Sequence, residues 1–551
     1  MRQVELPDQV IHITPLPLIA DAYTVGSEVF ASDEAKEKSL YYITFRRELY
    51  KINTDVYKKG DNRIIAVGFS RLIEYLFRKA TTYADVIEAE RFLSQGQVTS
   101  KGLVPYPFPK EIWEKIVKEY NGRPPLRIRA VKEGSVVYPN EPIMTIENVD
   151  NAFSKGEMGE IAAWFESTLL KIWAPSELVT QLVHWKEYWV DLIKSVYGNT
   201  KTDEEILFMA GLCLFNFGCR AGMTPQESEW LGADFLLVFG GSDTLSGAYQ
   251  AWKNGGEAAG VYTTVPALAH RNVQAYENEG DVYKKMYETA APGAILSNVS
   301  DCYSSFNATE KYLLPLALDA AEKKNGITII DRFDSGNPNE QVLWMCKLAH
   351  KNGLSTVETI LNKTWRFGTT LKFFEGDGMT FPKMKEINAE LMEYGFPPFA
   401  WGVPYGQGGG VRNDLKRDNL SAKYALCAVG KNLRPVCKFS ETIEKTTLPG
   451  PLKLLRSDKA LAYKQTIAFT HEDGADAMVT YYDGSEIWKP FREGFGFNFQ
   501  EVQKRIIDQM ATMPKSLTTK QNNNYPITEA VHKKRIELLQ KYAPKKLVQN
   551  Y

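Results

Sequence analysis

Five short segments of the chain place an arginine, an aspartate or clustered glycines directly after an apolar run. Glycine lets backbone N–H groups approach a phosphate, arginine offers a planar fork for one, and aspartate accepts ribose hydroxyls or holds Mg²⁺. Loops at the carboxyl ends of parallel strands meet at one mouth, so the ordered set predicts a substrate with several phosphates and a ribose. The segments are Phe215–Gly222 (FNFGCRAG), Gly240–Gly247 (GGSDTLSG), Asp331–Pro338 (DRFDSGNP), Phe373–Gly378 (FFEGDG) and Tyr405–Gly410 (YGQGGG).

The glycine-rich segment and the residues after it are the first phosphate candidates. Gly408 and Gly409 could bind a phosphate through their backbone N–H groups, and a flexible turn is the alternative. Arg417, Ser421 and Lys423 follow shortly after and could anchor further phosphates.

Two other segments supply a guanidinium and carboxylates. Arg332 offers a fork for phosphate, and Asp334 lies two residues beyond it. Asp377, next to Gly376, likewise follows an apolar run. Both aspartates could bind ribose hydroxyls or Mg²⁺, and both could instead cap a helix.

An aromatic ring and a carboxylate could bind a planar heteroaromatic group. Phe217 is followed by Arg220, which suits such a ring with an anion nearby, although Phe217 could simply pack in the core. Asp243 would accept hydrogen bonds from an amide N–H₂ and repel a carboxylate, so it would select a ring that carries an amide.

His270 is a histidine in a strand-to-helix context near these segments. A single histidine is often a packing residue, which is the alternative to catalysis. Asp301 could hold the imidazole and fix its tautomer if the two side chains meet in the fold.

The elements that must position these residues alternate between strand and helix. Apolar runs at 236–241, 295–301, 327–334, 371–378 and 399–406 predict strands. The patterns at Asn337–Asn352, Lys383–Tyr394 and Glu160–Ser195, the last interrupted at Pro175, predict helices. Such alternation indicates an α/β fold with parallel strands, either a doubly wound sheet or a barrel, and the polar strand ends favour a barrel.

The flanking regions carry a different pattern. Leu126–Glu147 predicts antiparallel strands, and Tyr463–Phe491, with a hairpin signal at Glu472–Gly474, predicts strands that return to the same sheet. We therefore expect a β-rich α+β domain from residues 1–160 and about 430–551, and a barrel domain from 161–429. The remaining predictions are a helix at Arg63–Arg78, a loop at Lys431–Leu454 and a solvated basic helix at Lys533–Lys546.

The composition excludes several classes of protein. The 551 residues are 44% hydrophobic and 24% charged with a net charge of -1, so no general basic field predicts a nucleic-acid partner. Glu5 and Asp8 precede any apolar stretch and the longest apolar run is Ile206–Phe217, which predicts a cytoplasmic protein without a signal peptide or membrane span. Six scattered cysteines without a CxxC pair predict reduced thiols and no structural zinc.

Taken in order, these segments resemble the nicotinamide phosphoribosyltransferases of the type II phosphoribosyltransferase family. The resemblance runs from about Leu18 to Leu454 and includes Asp21–Tyr23, GFSRLIEYLF, VPALAH and SDCY. It implies attack of nicotinamide on C1 of phosphoribosyl pyrophosphate (PRPP), with Mg²⁺ held by the substrate phosphates and not directly by protein. It also implies an incomplete α/β barrel packed with a β-rich domain, and an obligate homodimer with active sites at the interface.

The resemblance further implies roles for the candidates. His270 would be phosphorylated by ATP as a co-substrate, and Asp301 would orient it. Phe217 and the partner subunit's Tyr23 would stack on the two faces of the nicotinamide ring, and Asp243 would bind the carboxamide. Arg220 and Arg332 would contact phosphate or the surroundings of the ring, and Asp334 would hold ribose hydroxyls. The ribose 5-phosphate site would be lined by Gly376, Asp377, Gly408 and Gly409. Pyrophosphate would be reached across the interface by Arg417, Ser421, Lys423 and Arg46 (Arg47 in the alternative register).

The chain also departs from the family pattern. Ala269 replaces an acid before the histidine, Thr24 replaces a lysine after Tyr23, and the Arg417–Lys423 stretch is shorter. Two alternatives remain: a nicotinate phosphoribosyltransferase, which the carboxylate of Asp243 disfavours, and an inactive dimeric scaffold, which the joint presence of the candidate residues disfavours.

Overall fold

The computed structural model describes residues 14–149, 158–255, 263–402, 404–440, 446–456, 466–484, 498–517 and 527–542. Its strands are β1 (Ser39–Thr44), β2 (Ile64–Ala66), β3 (Gln97–Thr99), β4 (Gly102–Val104), β5 (Leu126–Val131), β6 (Ser135–Val137), β7 (Met144–Asn148), β8 (Leu214–Asn216), β9 (Gly241–Ser242), β10 (Ile295–Val299), β11 (Thr328–Phe333), β12 (Ser355–Ile360), β13 (Lys363–Gly368), β14 (Leu371–Glu375), β15 (Tyr405–Gln407), β16 (Lys423–Val429), β17 (Arg434–Pro435), β18 (Leu452–Leu455), β19 (Thr466–Phe469) and β20 (Met478–Asp483).

The described helices surround and connect these strands. The α-helices are Ala22–Ser27, Asp33–Glu37, Phe69–Phe77, Tyr83–Leu93, Lys110–Glu119, Glu166–Leu169, Trp173–Tyr197, Asp203–Gly211, Pro225–Phe235, Leu245–Lys253, His270–Gln274, Glu279–Glu288, Ser305–Ala308, Leu314–Lys323, Pro338–Lys351, Phe381–Glu393, Gly410–Asn413, Arg417–Leu420, Phe499–Thr512 and Glu529–Tyr542. Within the described ranges, no helix combines the length and the apolar character that crossing a bilayer requires.

A parallel sheet forms the half-barrel that the sequence predicts. Its strand order is β10-β11-β14-β15-β8-β9, and every neighbouring pair is parallel. The long helix Trp173–Tyr197 contacts this sheet through Trp189, whose ring centroid lies 5.9 Å from that of Tyr405 in β15, and Trp185 stacks on Phe381 of the helix Phe381–Glu393 at 5.1 Å. The prediction of an α/β fold with an incomplete barrel is therefore confirmed.

An antiparallel sheet joins the two ends of the chain. Its order is β17-β16-β1-β7-β5-β20, so β20, from near the C-terminus, pairs with β5 at Met478 and Val131. A buried ion pair links the early chain to the half-barrel, because Arg71 donates two hydrogen bonds to Asp234 at 2.6 and 2.7 Å. The domain boundaries given above stay a prediction.

Three predicted strand or helix segments are corrected by the structure. In the 236–241 run only Gly241 is in a strand, because the apolar residues before it complete the buried end of helix Pro225–Phe235. In the 399–406 run the strand begins only at Tyr405, since Gly402 has φ of +127°. Arg63–Arg78 divides at Gly68, whose φ of +99° separates β2 from helix Phe69–Phe77.

The remaining segments were predicted with mixed success. Pro175 does not interrupt a helix, because it lies in the first turn of Trp173–Tyr197, where its missing N–H is harmless. Glu472–Gly474 is a turn but not a hairpin, since β19 pairs with β18 and β20 with β5. The Lys431–Leu454 stretch contains β17 and begins β18. Parts of Tyr463–Phe491 and Lys533–Lys546 lie outside the described residues.

Candidate active site

Strand ends position the predicted residues around one mouth. The residue after each strand remains tied to a neighbouring strand: the N–H of Phe217 donates to Gln407 O at 2.8 Å, and that of Asp243 to Asn216 O at 2.9 Å. The N–H of Gly376 likewise donates to Phe333 O at 3.0 Å. The side chains that follow β8, β9 and β14 are therefore held at the same edge of the half-barrel.

An aromatic pocket opens at this edge. The Phe217 and Phe374 rings meet edge to face with centroids 5.4 Å apart, and Phe217 is only partly buried. Two glycines make room for the rings, because a Cβ on Gly241 would lie 1.9 Å from Phe215 and one on Gly406 would lie 2.4 Å from Phe374. The pocket is lined by Phe215, Phe217, Asp243, Val265, Ala267, Ser297, Ile330 and Phe374.

Asp243 is the charged group of this pocket. The Thr264 hydroxyl donates a hydrogen bond to its Oδ1. That bond orients the carboxylate and uses one of its two oxygens, so Asp243 can still accept from a donor on a ring stacked against Phe217. Thr264 was not singled out in the sequence, because it lies on a different segment of the chain.

His270 and Asp301 meet in the fold. The Nε2 of His270 lies 2.9 Å from Oδ1 of Asp301, with 44% and 9% of the two side chains exposed. The Ser335 hydroxyl donates to the other oxygen, Oδ2, at 2.6 Å. The carboxylate is thus held between two partners, and Nδ1 is the imidazole nitrogen that does not face it.

Arg332 and Asp334 form a partly buried pair beside the histidine. Arg332 Nη2 donates to Leu268 O at 2.6 Å, and its Nε lies 3.5 Å from Asp334 Oδ2. Burial raises the pKa of Asp334, and the charge of Arg332 opposes that rise. A Cβ on Gly376 would lie 2.7 Å from Asp334 Oδ1, so glycine gives this carboxylate its space.

Glu375 supports the loop that carries Asp377. Its Oε1 accepts the N–H of Asp377 at 3.0 Å, and its side chain is buried. Burial raises the pKa of Glu375 to about 8. The sequence contains it in FFEGDG, but an acidic residue inside a strand gave no sign that it would be buried beneath the loop.

The other predicted phosphate ligands of the mouth lie on its rim. Gly408 and Gly409 follow β15 and precede helix Gly410–Asn413, where Gly409 is the N-cap residue. Arg220 is exposed at the end of the 3₁₀ helix Gly218–Arg220, directly after Phe217. Both segments can therefore be reached from solvent.

A second group of predicted residues lies where β1 ends and β16 begins. The Arg46 guanidinium donates to Ser421 Oγ at 2.9 Å and to Ser421 O at 3.1 Å, whereas Arg47 donates to Asp418 O. Lys423 pairs with Thr44 in the sheet, and burial lowers the pKa of its ammonium group. Arg46 and Arg47 therefore both contact the segment that carries Arg417 and Ser421, and the choice between the two registers stays a prediction.

Tyr23 and Arg417 are the exposed members of this second group. Tyr23 is 65% exposed, and its hydroxyl donates to Asp21 Oδ2 at 3.1 Å. The Arg417 side chain is 64% exposed, with Nη1 3.2 Å from Asp418 Oδ1. The structure thus assembles the predicted residues into two groups, one in the mouth of the half-barrel and one beside the antiparallel sheet.

Comparisons with known proteins point to one family. The nicotinate phosphoribosyltransferase (NAPRTase) family model matches residues 212–469. The nicotinamide phosphoribosyltransferase of Xanthomonas campestris pv. campestris (strain 8004) is 27% identical over 432 residues, which are 76% of this chain and 86% of that protein.

Two solved structures share the fold. Human nicotinic acid phosphoribosyltransferase superposes with a TM-score of 0.55 at 15% identity, covering 96% of this chain and 100% of that one. Nicotinate-nucleotide pyrophosphorylase from Pyrococcus furiosus gives 0.51 at 14% identity, with 93% and 99% covered.

Proposed function

We propose that the chain is a member of the nicotinate phosphoribosyltransferase family of NAD biosynthesis, and that it makes nicotinamide mononucleotide and pyrophosphate from nicotinamide and PRPP. The observation that carries the choice of substrate is the carboxylate of Asp243 in the aromatic pocket beside Phe217. A carboxylate accepts a hydrogen bond from an amide N–H₂ and attracts its partially positive hydrogens, so Asp243 suits nicotinamide.

Nicotinate is the second candidate, because the family model carries its name. Its carboxylate would face that of Asp243, and two such anions at hydrogen-bonding distance repel each other unless one takes up a proton. The hydroxyl of Thr264 donates to Oδ1 of Asp243, which leaves Oδ2 as an acceptor for an N–H of the bound ring's amide. These contacts support nicotinamide over nicotinate.

The remaining residues of the mouth suit a reaction driven by positioning. As the pyridine nitrogen attacks C1 and pyrophosphate leaves, positive charge develops on the ribose ring, and carboxylates stabilise such charge. Asp334 is the carboxylate proposed for the ribose hydroxyls, and its contact with Arg332 fixes its direction. Arg332 would contact phosphate or the surroundings of the ring, and Gly376, Asp377, Gly408 and Gly409 would bind the 5-phosphate.

Magnesium would arrive on the phosphates of PRPP. The mouth would suit a cation carried on these phosphates, because burial raises the pKa of Asp334 and the charges of Asp301 and Asp377 both raise it further. When bound, Mg²⁺ neutralises charge on the leaving pyrophosphate. Arg220, at the exposed rim, is placed to approach the same phosphates.

ATP is the proposed co-substrate, acting through His270. Attack of the free nitrogen Nδ1 on the terminal phosphorus would release ADP and leave a phosphohistidine, with Asp301 holding the opposite nitrogen. Ala269 contributes no acid beside the histidine, and its N–H instead donates to Asn272 Oδ1 at 2.9 Å. Asp301 is therefore the carboxylate on which the coupling would depend.

The second group of residues would act in a homodimer. Tyr23 would stack on the ring bound by the partner, and Arg46, Arg417, Ser421 and Lys423 would reach its pyrophosphate. The exposure of Phe30 supports this: it lies in the 3₁₀ helix that directly follows the helix of Tyr23, it is 85% exposed, and a second copy would remove it from water. We expect such a dimer to work in the cytoplasm.

Product formation tests this proposal. The purified full-length protein is given PRPP, Mg²⁺ and either nicotinamide or nicotinate, with and without ATP. Mononucleotide from nicotinamide, made faster with ATP, is the expected result. Product from nicotinate alone would assign the sister activity, and no product from either base would favour an inactive scaffold.

A further inference from the structure

Glu177 is a fully buried carboxylate near the start of helix Trp173–Tyr197, outside the five segments that the sequence offered for phosphate and ribose binding. Two of its partners come from the segment Lys416–Ser421 before β16, which contains the one-turn helix Arg417–Leu420 and is called the loop below. The backbone N–H of Lys416 donates to Oε2 at 3.2 Å, and the side-chain amide of Asn419 donates to Oε1. Gln181, one helical turn away, donates to Oε1 at 3.4 Å. A buried carboxylate requires such partners, so the helix and the loop are firmly joined.

The loop that Glu177 holds carries two proposed pyrophosphate ligands. Arg417 lies between Lys416 and Asn419, the two residues that contact Glu177. Ser421 follows in the left-handed conformation with φ of +51°. At this end the loop is held by Arg46, whose N–H donates to Leu420 O at 3.0 Å and whose guanidinium donates to Ser421 Oγ at 2.9 Å. Glu177 therefore holds the loop at Lys416 and Asn419, and Arg46 holds it at Leu420 and Ser421.

The exposure of Arg417 makes this support necessary. Its side chain is 64% exposed and pairs with the still more exposed Asp418, so few contacts of its own define where the guanidinium lies. Its direction must come from the backbone of the turn on which it stands. A ligand held in advance loses less conformational freedom when it binds an anion, and that saving strengthens binding.

We propose that Glu177 is a positioning residue for pyrophosphate binding: its carboxylate fixes the turn at Lys416–Leu420 and thereby holds Arg417 and Ser421 ready for the substrate. The inference rests on the proposed function, which supplies the pyrophosphate group. It assigns a part in substrate binding to a residue on a helix of the half-barrel that touches no substrate.

A purely structural role for Glu177 would look different, and the chain offers a matched control. Glu133 is also buried, and it accepts the backbone N–H groups of Gly68 at 2.7 Å and Ser70 at 2.8 Å. None of these residues is a phosphate candidate. Glu133→Gln should therefore lower stability, as Glu177→Gln should, without changing the affinity for pyrophosphate.

The experiment measures binding of inorganic pyrophosphate with Mg²⁺ to the full-length protein by calorimetry. Glu177→Gln and Asn419→Ala should each weaken binding about tenfold, the equivalent of one good hydrogen bond to a charged group. Combining Glu177→Gln with Asn419→Asp should recover the affinity to within about twofold. In the double variant, the amide N–H₂ at position 177 donates to the carboxylate at position 419, and the amide oxygen at position 177 still accepts the Lys416 N–H. In turnover, the single variants should raise KM for PRPP and leave kcat nearly unchanged.

Wild-type affinity in both single variants would overturn the inference, and so would a folded exchange variant that stays weak. If the exchange variant does not fold, Asn419→Ala decides alone, because it removes the amide without burying a new group. Failure of the wild-type protein to bind pyrophosphate would also overturn it. The proposed function is judged separately, by product formation from nicotinamide in the wild-type protein, so the two failures can be told apart.

Discussion

The two groups of candidate residues are built in opposite ways. In the mouth of the half-barrel, Arg332 is buried and bonded to Leu268 O, and Asp301 is held between His270 and Ser335. In the group beside the antiparallel sheet, Tyr23 and Arg417 are each about two-thirds exposed. The mouth is thus organised within one chain, whereas the second group offers its side chains outward.

This difference in burial indicates that the two groups have different roles. Buried polar groups with fixed partners keep their geometry before substrate arrives, as selection of a base and charge stabilisation require. Exposed side chains on a supported loop can contact a substrate held by another surface. Substitutions in the mouth should therefore affect both stability and chemistry, while substitutions in the second group should affect binding alone.

The largest effect should follow from removing the carboxylate that we propose selects the base. Asp243→Ala should lower kcat/KM for nicotinamide by roughly a hundredfold, because the amide loses a charged acceptor in a confined pocket. Asp243→Asn should shift the preference toward nicotinate, since it removes the repulsion. Steady-state kinetics with both bases measures this, and Asp203→Ala, at an exposed helix start, is the control. Unchanged turnover of nicotinamide by Asp243→Ala would show that Asp243 does not bind the base.

Substitution of one arginine in each group compares the two groups directly. Arg332→Ala should lower the free energy of unfolding by about 2–3 kcal/mol, because the partly buried Leu268 carbonyl and Asp334 both lose a buried, charged partner. Arg417→Ala should change it by less than about 0.5 kcal/mol, as its side chain is exposed, but should raise KM for PRPP about tenfold. Denaturant unfolding and kinetics on both variants provide the test. Equal losses of stability would remove the distinction between the groups.

ATP coupling should depend on the mouth alone. His270→Ala and Asp301→Asn should both abolish the gain in rate that ATP gives while leaving basal turnover, because the phosphorylated nitrogen or its orienting carboxylate is lost. Ser335→Ala should reduce the gain less, since Asp301 keeps its contact with His270. Rates with and without ATP measure this, and an undiminished gain in His270→Ala would exclude a phosphohistidine.

The smallest effect concerns stability against pH. Burial raises the pKa of Glu375 from 4.5 to about 8, so the folded state retains a proton that the unfolded state releases. Its contribution to stability is full below pH 4.5 and is lost as pH rises toward 8. Glu375→Gln should remove this pH dependence. As the pH rises from 4.5 to about 8, the melting temperature of the variant should therefore rise by a few degrees relative to that of the wild type. A constant difference between the two proteins at all pH values would contradict the assignment.

The sequence predicted the parts of the fold where pattern and length agree. β10, β11 and β14 are apolar runs of five or six residues that end at a polar loop, and each lies where it was expected. β8 and β9 have only three and two residues, so their apolar pattern cannot be distinguished from the end of a helix. The hairpin of β12 and β13 was missed because its two-residue turn is Leu361–Asn362, both with positive φ, without the usual glycine.

Prediction from sequence has the same limit at the candidate site. Residues that follow a strand, such as Asp243 and Asp334, could be named because their types suit phosphates, ribose or amides. Glu177 and Glu375 could not, since their importance arises from burial and from partners on other segments. The Lys416 N–H, for example, reaches Glu177 across more than two hundred residues of sequence, and only the packing of the helix brings them together.

The most direct test of the account asks whether the two groups work across two copies of the chain. Asp243→Ala, inactive in the mouth, and Arg417→Ala combined with Tyr23→Ala, impaired in the second group, are mixed and allowed to exchange subunits. A hybrid dimer then has one site with both groups intact, so random exchange should restore about a quarter of wild-type turnover. If exchange is verified by mass spectrometry of intact dimers and activity does not exceed that of the separate variants, the groups do not form a shared site.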